Sequence, residues 1–220
     1  MRQLGRADFY YDREVATDDG DLLMKWRAGD TASGEALFAR YYDAVARFFS
    51  NKGTVDPGDL VQATFAACLE KVDQLRDAAS FRSFIFGIAR FELLHYYRRK
   101  SRRETEFDAG SNSICDLDPS PSKIIAHHEE QRLLLEGLRQ IPLDLQIVLE
   151  LSYWERLTSA EVASVLGIPE GTAKSRLRRA RERLDAKLAE LAESPDRLES
   201  TVANLERWAA GLRAGVGQAP

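Results

Sequence analysis

The sequence predicts an all-α protein built as two small helical domains, and three observations lead there. Apolar residues recur at three- and four-residue steps over nearly the whole chain. No run alternates apolar and polar residues between hairpin turns. One stretch, 105–125, is rich in Ser, Asp, Asn, Gly and Pro, contains Asp118-Pro119-Ser120-Pro121-Ser122, and has no periodicity. It reads as a flexible acidic linker. The expected layout is an N-terminal extension over 1–20, without assured structure, a helix bundle over 21–104 and the linker. A second helical domain over 126–192 and a helical extension over 193–220 complete it.

In the first domain Leu37, Tyr41, Val45 and Phe48 mark one helix face, and Val61, Phe65, Cys68 and Val72 mark another. Asp56 is placed to cap the second helix and Pro57 to occupy its first position, where a missing N–H costs nothing. A third helix starts near Ser80. It carries Phe81, Phe84, Ile88 and Phe91, of which Phe84, Ile88 and Phe91 are spaced as packing residues, and it ends in the basic run Arg98 to Arg103. Three or four such helices make a bundle.

The second domain contains the most informative stretch. Thr158 and Glu161 have the spacing of a capping box, Val162, Val165 and Leu166 form a short apolar face, and Gly167 stops the helix. After Gly167-Ile168-Pro169-Glu170 a new helix puts Ala173, Leu177, Ala180, Leu184, Leu188 and Leu191 on one side. A short helix, a turn containing Gly and a basic amphipathic helix together predict a helix-turn-helix. In the extension, Ser194-Pro195 can start a last helix with Leu198, Val202, Leu205, Trp208 and Leu212 as its stripe.

The net charge is -4, so indiscriminate coating of nucleic acid is not expected, but the charge is segregated. Residues 98–103 hold five basic side chains and no acid. Residues 171–187 hold seven bases against two acids, whereas 104–118 hold five acids and no base. On the second-domain helix Thr172, Lys174, Ser175, Arg176, Arg178 and Arg179 are the candidate DNA contacts: arginines can neutralise phosphates, and polar residues at the N-terminal end can reach base edges in the major groove. On the third helix Arg82, Phe84, Arg90, Phe91, Tyr96, Tyr97, Arg98 and Arg99 interleave rings with cations, a composition suited to stacking unpaired bases while holding the strand. One surface for duplex and one for single strand would suit a protein that locates a site and opens it.

Other chemistries are not supported. Cys68 and Cys115 lack the spacing of a disulfide framework or a zinc site. The run His127-His128-Glu129-Glu130 would be spread around a helix axis instead of gathered as ligands. No phosphate-cradling loop or nucleophile motif occurs, so the sequence predicts no enzyme, no metal and no cofactor. It also offers no membrane-length apolar run and no signal-peptide core at its start, which predicts a cytoplasmic protein.

Three stretches resemble the extracytoplasmic-function sigma factors of the sigma-70 type. Asp56-Pro57-Gly58-Asp59-Leu60-Val61-Gln62-Ala63-Thr64-Phe65 is similar to their region 2 core-binding motif. Phe81-Arg82-Ser83-Phe84-Ile85-Phe86-Gly87-Ile88-Ala89-Arg90, continued through Tyr96-Tyr97-Arg98-Arg99, is similar to their helix for melting and reading the −10 element. Gly167-Ile168-Pro169-Glu170-Gly171-Thr172-Ala173-Lys174-Ser175-Arg176-Leu177 is similar to their region 4 recognition helix for the −35 element. The likeness runs over about 21–191.

The resemblance implies a subunit that brings RNA polymerase core to promoter DNA. Asp56, Asp59, Leu60, Gln62 and Phe65 would bind the clamp helices of the largest subunit, and the second domain would meet the flap of the second-largest. An anti-sigma factor or a Ser/Thr kinase is the family's kind of regulator. Gly58 and Ala63 stand where family members usually carry acids; phosphorylation of Thr64 or Thr54 would restore about −1.5 to −2 charges per phosphate. Phe91 stands where the family often has Asn, and the extension around Trp208 is absent from minimal members. The competing readings are a helix-turn-helix regulator acting without polymerase, and a degenerate sigma factor that only titrates a partner.

Overall fold

A computed structural model describes residues 13–50, 52, 57–75, 80–101, 107–117 and 129–192. Among these residues the elements are α-helices: α1 (Arg13–Arg27), α2 (Thr31–Ser50), α3 (Pro57–Lys71), α4 (Phe81–Lys100), α5 (Ile114–Leu117), α6 (Glu129–Arg139), α7 (Leu143–Leu149), α8 (Ser159–Leu166) and α9 (Glu170–Leu191). A 3-10 turn, Val72–Gln74, follows α3, and a π-helical turn, Glu150–Trp154, follows α7. The one sheet-like feature among them is an isolated antiparallel bridge between Ser113 and Pro142. Asp56, Thr54, His127, His128 and the two terminal extensions over 1–12 and 193–220 lie outside the described residues.

The local signals are physical ones. Gly29, at φ 100°, turns the chain between α1 and α2. Asp30 caps α2: its carboxylate accepts from Ala32 N at 3.1 Å and from Ser33 Oγ at 2.6 Å. Hydrogen bonding to Ser33 holds the Asp30 carboxyl below its ordinary range. Gly34 lets α1 and α2 close up, since a Cβ there would sit 2.7 Å from Trp26 Nε1. Pro57 opens α3 as expected. Thr158 and Glu161 form both halves of the capping box on α8, and Gly167 ends that helix in the left-handed region at φ 66°. Gly137 does for α6 what Gly34 does for α2, with a Cβ 2.9 Å from Leu188 Cδ2 on α9.

Leu37, Tyr41, Val45 and Phe48 are buried along α2, and Val61, Cys68 and Val72 are buried after them. The stripe on α4 is shifted from the expected one. Phe81, Ile85, Phe86, Ala89, Leu93 and Tyr97 are fully buried, whereas Phe84 is partly exposed and Phe91 is 53% exposed. The cause is tertiary: α4 packs on α3 to one side and on α8 of the second domain on another, so a single stripe cannot describe it.

The two domains are not separate beads. One apolar cluster contains α2, α3 and α4 residues together with Leu143, Ile147 and Val148 of α7 and Val162, Val165 and Leu166 of α8. Each such aliphatic side chain contributes about 1.5–3 kcal/mol when fully buried. A second cluster joins α6, α7 and α9 through Leu134, Leu138, Leu149, Trp154, Ala180, Leu184 and Leu188.

The stretch expected to be a linker throughout is folded over 107–117. Phe107 stacks on Tyr97 with centroids 6.2 Å apart, and Ile114 is fully buried. Leu143 N donates to Asn112 O and Asp144 N to Ala109 O, both at 2.9 Å. Its polar composition forms turns and caps: Asp108 accepts from Gly110 N and Ser111 Oγ, and Asp116 from Ser113 N. The two apolar residues inside that composition, Phe107 and Ile114, anchor it.

Candidate nucleic-acid and core-binding surfaces

α9 exists as a helix of 22 residues because Ala173, Ala180, Leu184 and Leu188 can all bury on one side. Its other faces are left to the basic residues. Thr172, Lys174, Ser175, Arg178 and Arg179 are all exposed. Ser175 Oγ donates to Thr172 O at 2.9 Å. Lys174 pairs with Glu170 at 2.7 Å, and Arg178 approaches Glu182 at 3.9 Å; both pairs are solvated and easily exchanged for phosphate. Arg176 is the exception, being partly buried against Asp144. Sequence spacing gave no sign that Arg181 covers the ring of Tyr153, with its guanidinium 5.1 Å from the centroid.

On α4 the expected set divides. Arg98 and Arg99 are exposed, Arg82, Phe84, Arg90 and Tyr96 are partly exposed, and Phe91 is largely exposed. Tyr97 is fully buried, so its expected role in contacting DNA is corrected: it is a core residue packed against Tyr96 and Phe107. Phe84, Gly87, Ile88 and Phe91 line an open groove of about 370 Å³ with Lys71 at the end of α3, Leu75 after the 3-10 turn and Ser164 of α8. Nothing lies within 4 Å of where a Gly87 Cβ would stand, so the missing side chain widens the groove. Lys71 lies 5.6 Å from the Phe91 centroid and Lys100 6.0 Å from that of Tyr96. A ring half in solvent with an ammonium beside it is what a stacked nucleotide requires. The Lys100 pairing is legible as i, i+4; that of Lys71 is not, because twenty residues separate it from Phe91.

On α3, Asp59 and Gln62 are exposed and Phe65 is partly exposed, stacked 6.2 Å from the half-exposed Tyr42. Leu60 is buried at 8% exposure and cannot present its side chain to a partner, so its expected contact is corrected. Thr64 is also corrected as a phosphorylation site. It has no exposure, and its hydroxyl donates to Leu60 O at 2.7 Å, so a phosphate there would bury nearly two charges without partners. Thr54 is outside the described residues. The start of the loop before α4 is held by Arg27, whose Nη2 donates to the carbonyls of Val72 and Leu75.

Among the described residues no helix is long and apolar enough to cross a membrane. Residues 37–103, which span α2 to α4, match the family model of sigma-70 region 2; residues 131–184, from α6 into α9, match that of sigma-70 region 4. The chain is 26% identical over 192 residues to the ECF RNA polymerase sigma-E factor of Haemophilus influenzae, covering 81% of this chain and 98% of that protein. To the ECF RNA polymerase sigma-E factor of Escherichia coli K12 it is 25% identical over 182 residues, covering 79% and 95%. In fold it is similar to CnrH, solved in complex with the cytosolic domain of CnrY, with TM-score 0.57, 22% identity, and coverage of 80% of this chain and 99% of that one. With two ordered family matches that together span more than half of its length, the chain belongs to the sigma-70 family of sigma factors, in the extracytoplasmic-function branch, which directs RNA polymerase to promoters.

Proposed function

We propose that α9 and α4 divide promoter recognition between duplex and single strand. Thr172, Lys174, Ser175, Arg176, Arg178 and Arg179 read the −35 element from the major groove. Phe84, Phe91 and Tyr96 stack non-template bases of the −10 element, and Arg82, Arg90, Arg98 and Arg99 hold their phosphates. The exposed face of α3, with Asp59, Gln62 and Phe65, docks on the clamp helices of polymerase, and the second domain meets the flap. Catalysis belongs to the polymerase, and the protein works in the cytoplasm.

The observation that carries this reading is the contrast between the two basic helices. α9 exposes cations and small polar groups with no ring among them, which suits a groove. α4 exposes Phe91 beside Lys71 and an open groove, which suits a flipped base, where unstacking costs a few kcal/mol. Phe91 offers a face and no hydrogen bonds, so selection at its position rests on stacking and shape. Regulation by an anti-sigma factor is supported by the fold likeness to CnrH bound to CnrY, and control by a kinase now rests on Thr54 alone.

Run-off transcription from genomic fragments with purified core polymerase tests the whole reading. Discrete transcripts absent with core alone are expected. A chain that neither co-purifies with core nor changes where it initiates is no functional sigma factor, and binding to core without transcription points to the titrating form. Operator binding without any affinity for core would favour the polymerase-independent regulator.

A further inference from the structure

The groove at Gly87 has two unlike walls. Phe84, Gly87, Ile88 and Phe91 stand on α4, a helix of 20 residues whose own hydrogen bonds hold them in register. The other wall is Lys71, the last residue of α3, and Leu75, which follows the 3-10 turn with extended backbone at φ −72° and ψ 109°. That turn is three residues long, and hydrogen bonds of the 3-10 kind have poorer geometry than α-helical ones. Leu75 N reaches Val72 O only at 3.2 Å. Carbonyls at the end of a helix also lack partners within it.

Further support comes from a distant part of the chain. Arg27, in the last turn of α1, donates through Nη2 to both Val72 O and Leu75 O, the carbonyls at either end of the turn. Forty-five positions separate Arg27 from Val72. Positive charge is favourable where the carbonyls of a helix end converge. α1 is itself fixed without help from the groove: Leu23 is fully buried, Asp19 accepts from Arg40 Nη1 and Tyr41 Oη of α2, and Trp26 packs against Gly34 and Phe38. Arg27 is exposed and does not line the groove. It braces the weaker wall from outside.

We propose that Arg27 is a positioning residue of the groove: by holding Val72 and Leu75 it sets how far the Lys71–Leu75 wall stands from Phe84 and Phe91, and so which unpaired base fits between them. It does this without touching DNA. The proposal rests on the groove being the place of a flipped base.

Holoenzyme assembled with purified core tests it. Affinity is measured for fluorescent single strands that carry the non-template −10 sequence of a promoter mapped by run-off transcription, with each base replaced in turn. Arg27→Ala is expected to bind the preferred strand about three- to tenfold more weakly, because the competent geometry is populated less, and the substituted strands by less than about twofold. Arg27→Lys is expected to fall with it, since an ammonium has a shorter reach and no planar fork. Lys25→Ala removes a neighbouring exposed cation paired with Asp21 and is the control that keeps the wild-type preference. Salt separates a brace from a phosphate contact: losing a contact lowers the slope of log affinity against log salt by about 0.7 on a single strand, whereas Arg27→Ala is expected to keep the slope. Its melting temperature should stay within about 2 °C of wild type, as for a surface substitution.

Unchanged base preference in Arg27→Ala, full rescue by lysine, or a lowered slope with preference intact overturns the proposal. So does a fall in melting temperature with equal loss of every affinity, which marks a merely structural role. If wild-type holoenzyme shows no preference among the strands, the reading of the groove has failed, and hydrogen exchange judges the brace alone. Amides of residues 72–75 are then expected to exchange about three- to tenfold faster in Arg27→Ala while those of 84–91 keep their protection. Equal exchange at 72–75 overturns the brace.

Discussion

α4 and α9 are the two long basic helices of this molecule, and they expose their chemistry in opposite ways. α9 buries a narrow stripe, Ala173, Ala180, Leu184 and Leu188, and leaves most of its cations in solvent, Arg176 beside Asp144 being partly buried. α4 is enclosed on several sides and buries Phe81, Ser83, Ile85, Phe86, Ile88, Ala89, Leu93, Leu94 and Tyr97. A helix at the surface of one domain can be read from its own periodicity. One wedged between two domains cannot, because each neighbour claims a different face. In α4 the exposed rings and the rings of the core are therefore told apart by surroundings, not by spacing.

Substitutions can break or sharpen that contrast, and the largest effects belong to the enclosed helix and to the buried ion pair Lys52–Glu150. Tyr97→Ala is expected to lower unfolding free energy by about 3–5 kcal/mol in urea titrations, as for a large core aromatic. If Tyr97 acted on DNA, transcription would fall with stability intact. Lys52→Met strands Glu150 in the interior and is expected to cost about 3–5 kcal/mol, while the double variant Lys52→Met with Glu150→Leu recovers most of it. A double-mutant cycle measures that coupling.

Next come the exposed arginines of α9. Arg178→Ala and Arg179→Ala are each expected to weaken binding to a −35 duplex by about 1–3 kcal/mol. The melting temperature stays where it is, because both side chains stand in solvent. Phe91→Ala should change stability by no more than about 0.5 kcal/mol, since the ring is 53% exposed, yet reduce permanganate-reactive thymines in the open complex. Unchanged reactivity would leave α4 without its stacking role. The smallest effect concerns thiols. Burial pushes Cys68 up to about 12, so at pH 8 only about one molecule in ten thousand carries its thiolate. Mass spectrometry after alkylation should therefore find Cys115 modified first.

Legibility in the sequence followed how locally each feature is held. The capping box at Thr158 and Glu161 and the stop at Gly167 depend on residues within one helical turn and are legible as such, whereas the partial burial of Arg176 on α9 is not, because Asp144 lies 32 positions away. Of the residues expected to bind core, Asp59 and Gln62 are exposed on α3, but Leu60 points inward, and so does Thr64, the expected phosphorylation site, a matter of helix phase against α2 and α4. The run from 107 to 117 has the composition of a linker and is nonetheless packed, because Phe107 and Ile114 find partners far away in sequence.

Helix type, caps, charge segregation and the order of the motifs were all decided by neighbours along the chain, since propensity and periodicity act over three or four residues. Which rings of α4 meet solvent, the groove at Gly87, and the buried pairing of Arg47 with Glu155 were decided by packing alone. Those features join residues up to 108 positions apart, and burial at such a distance follows from how faces meet.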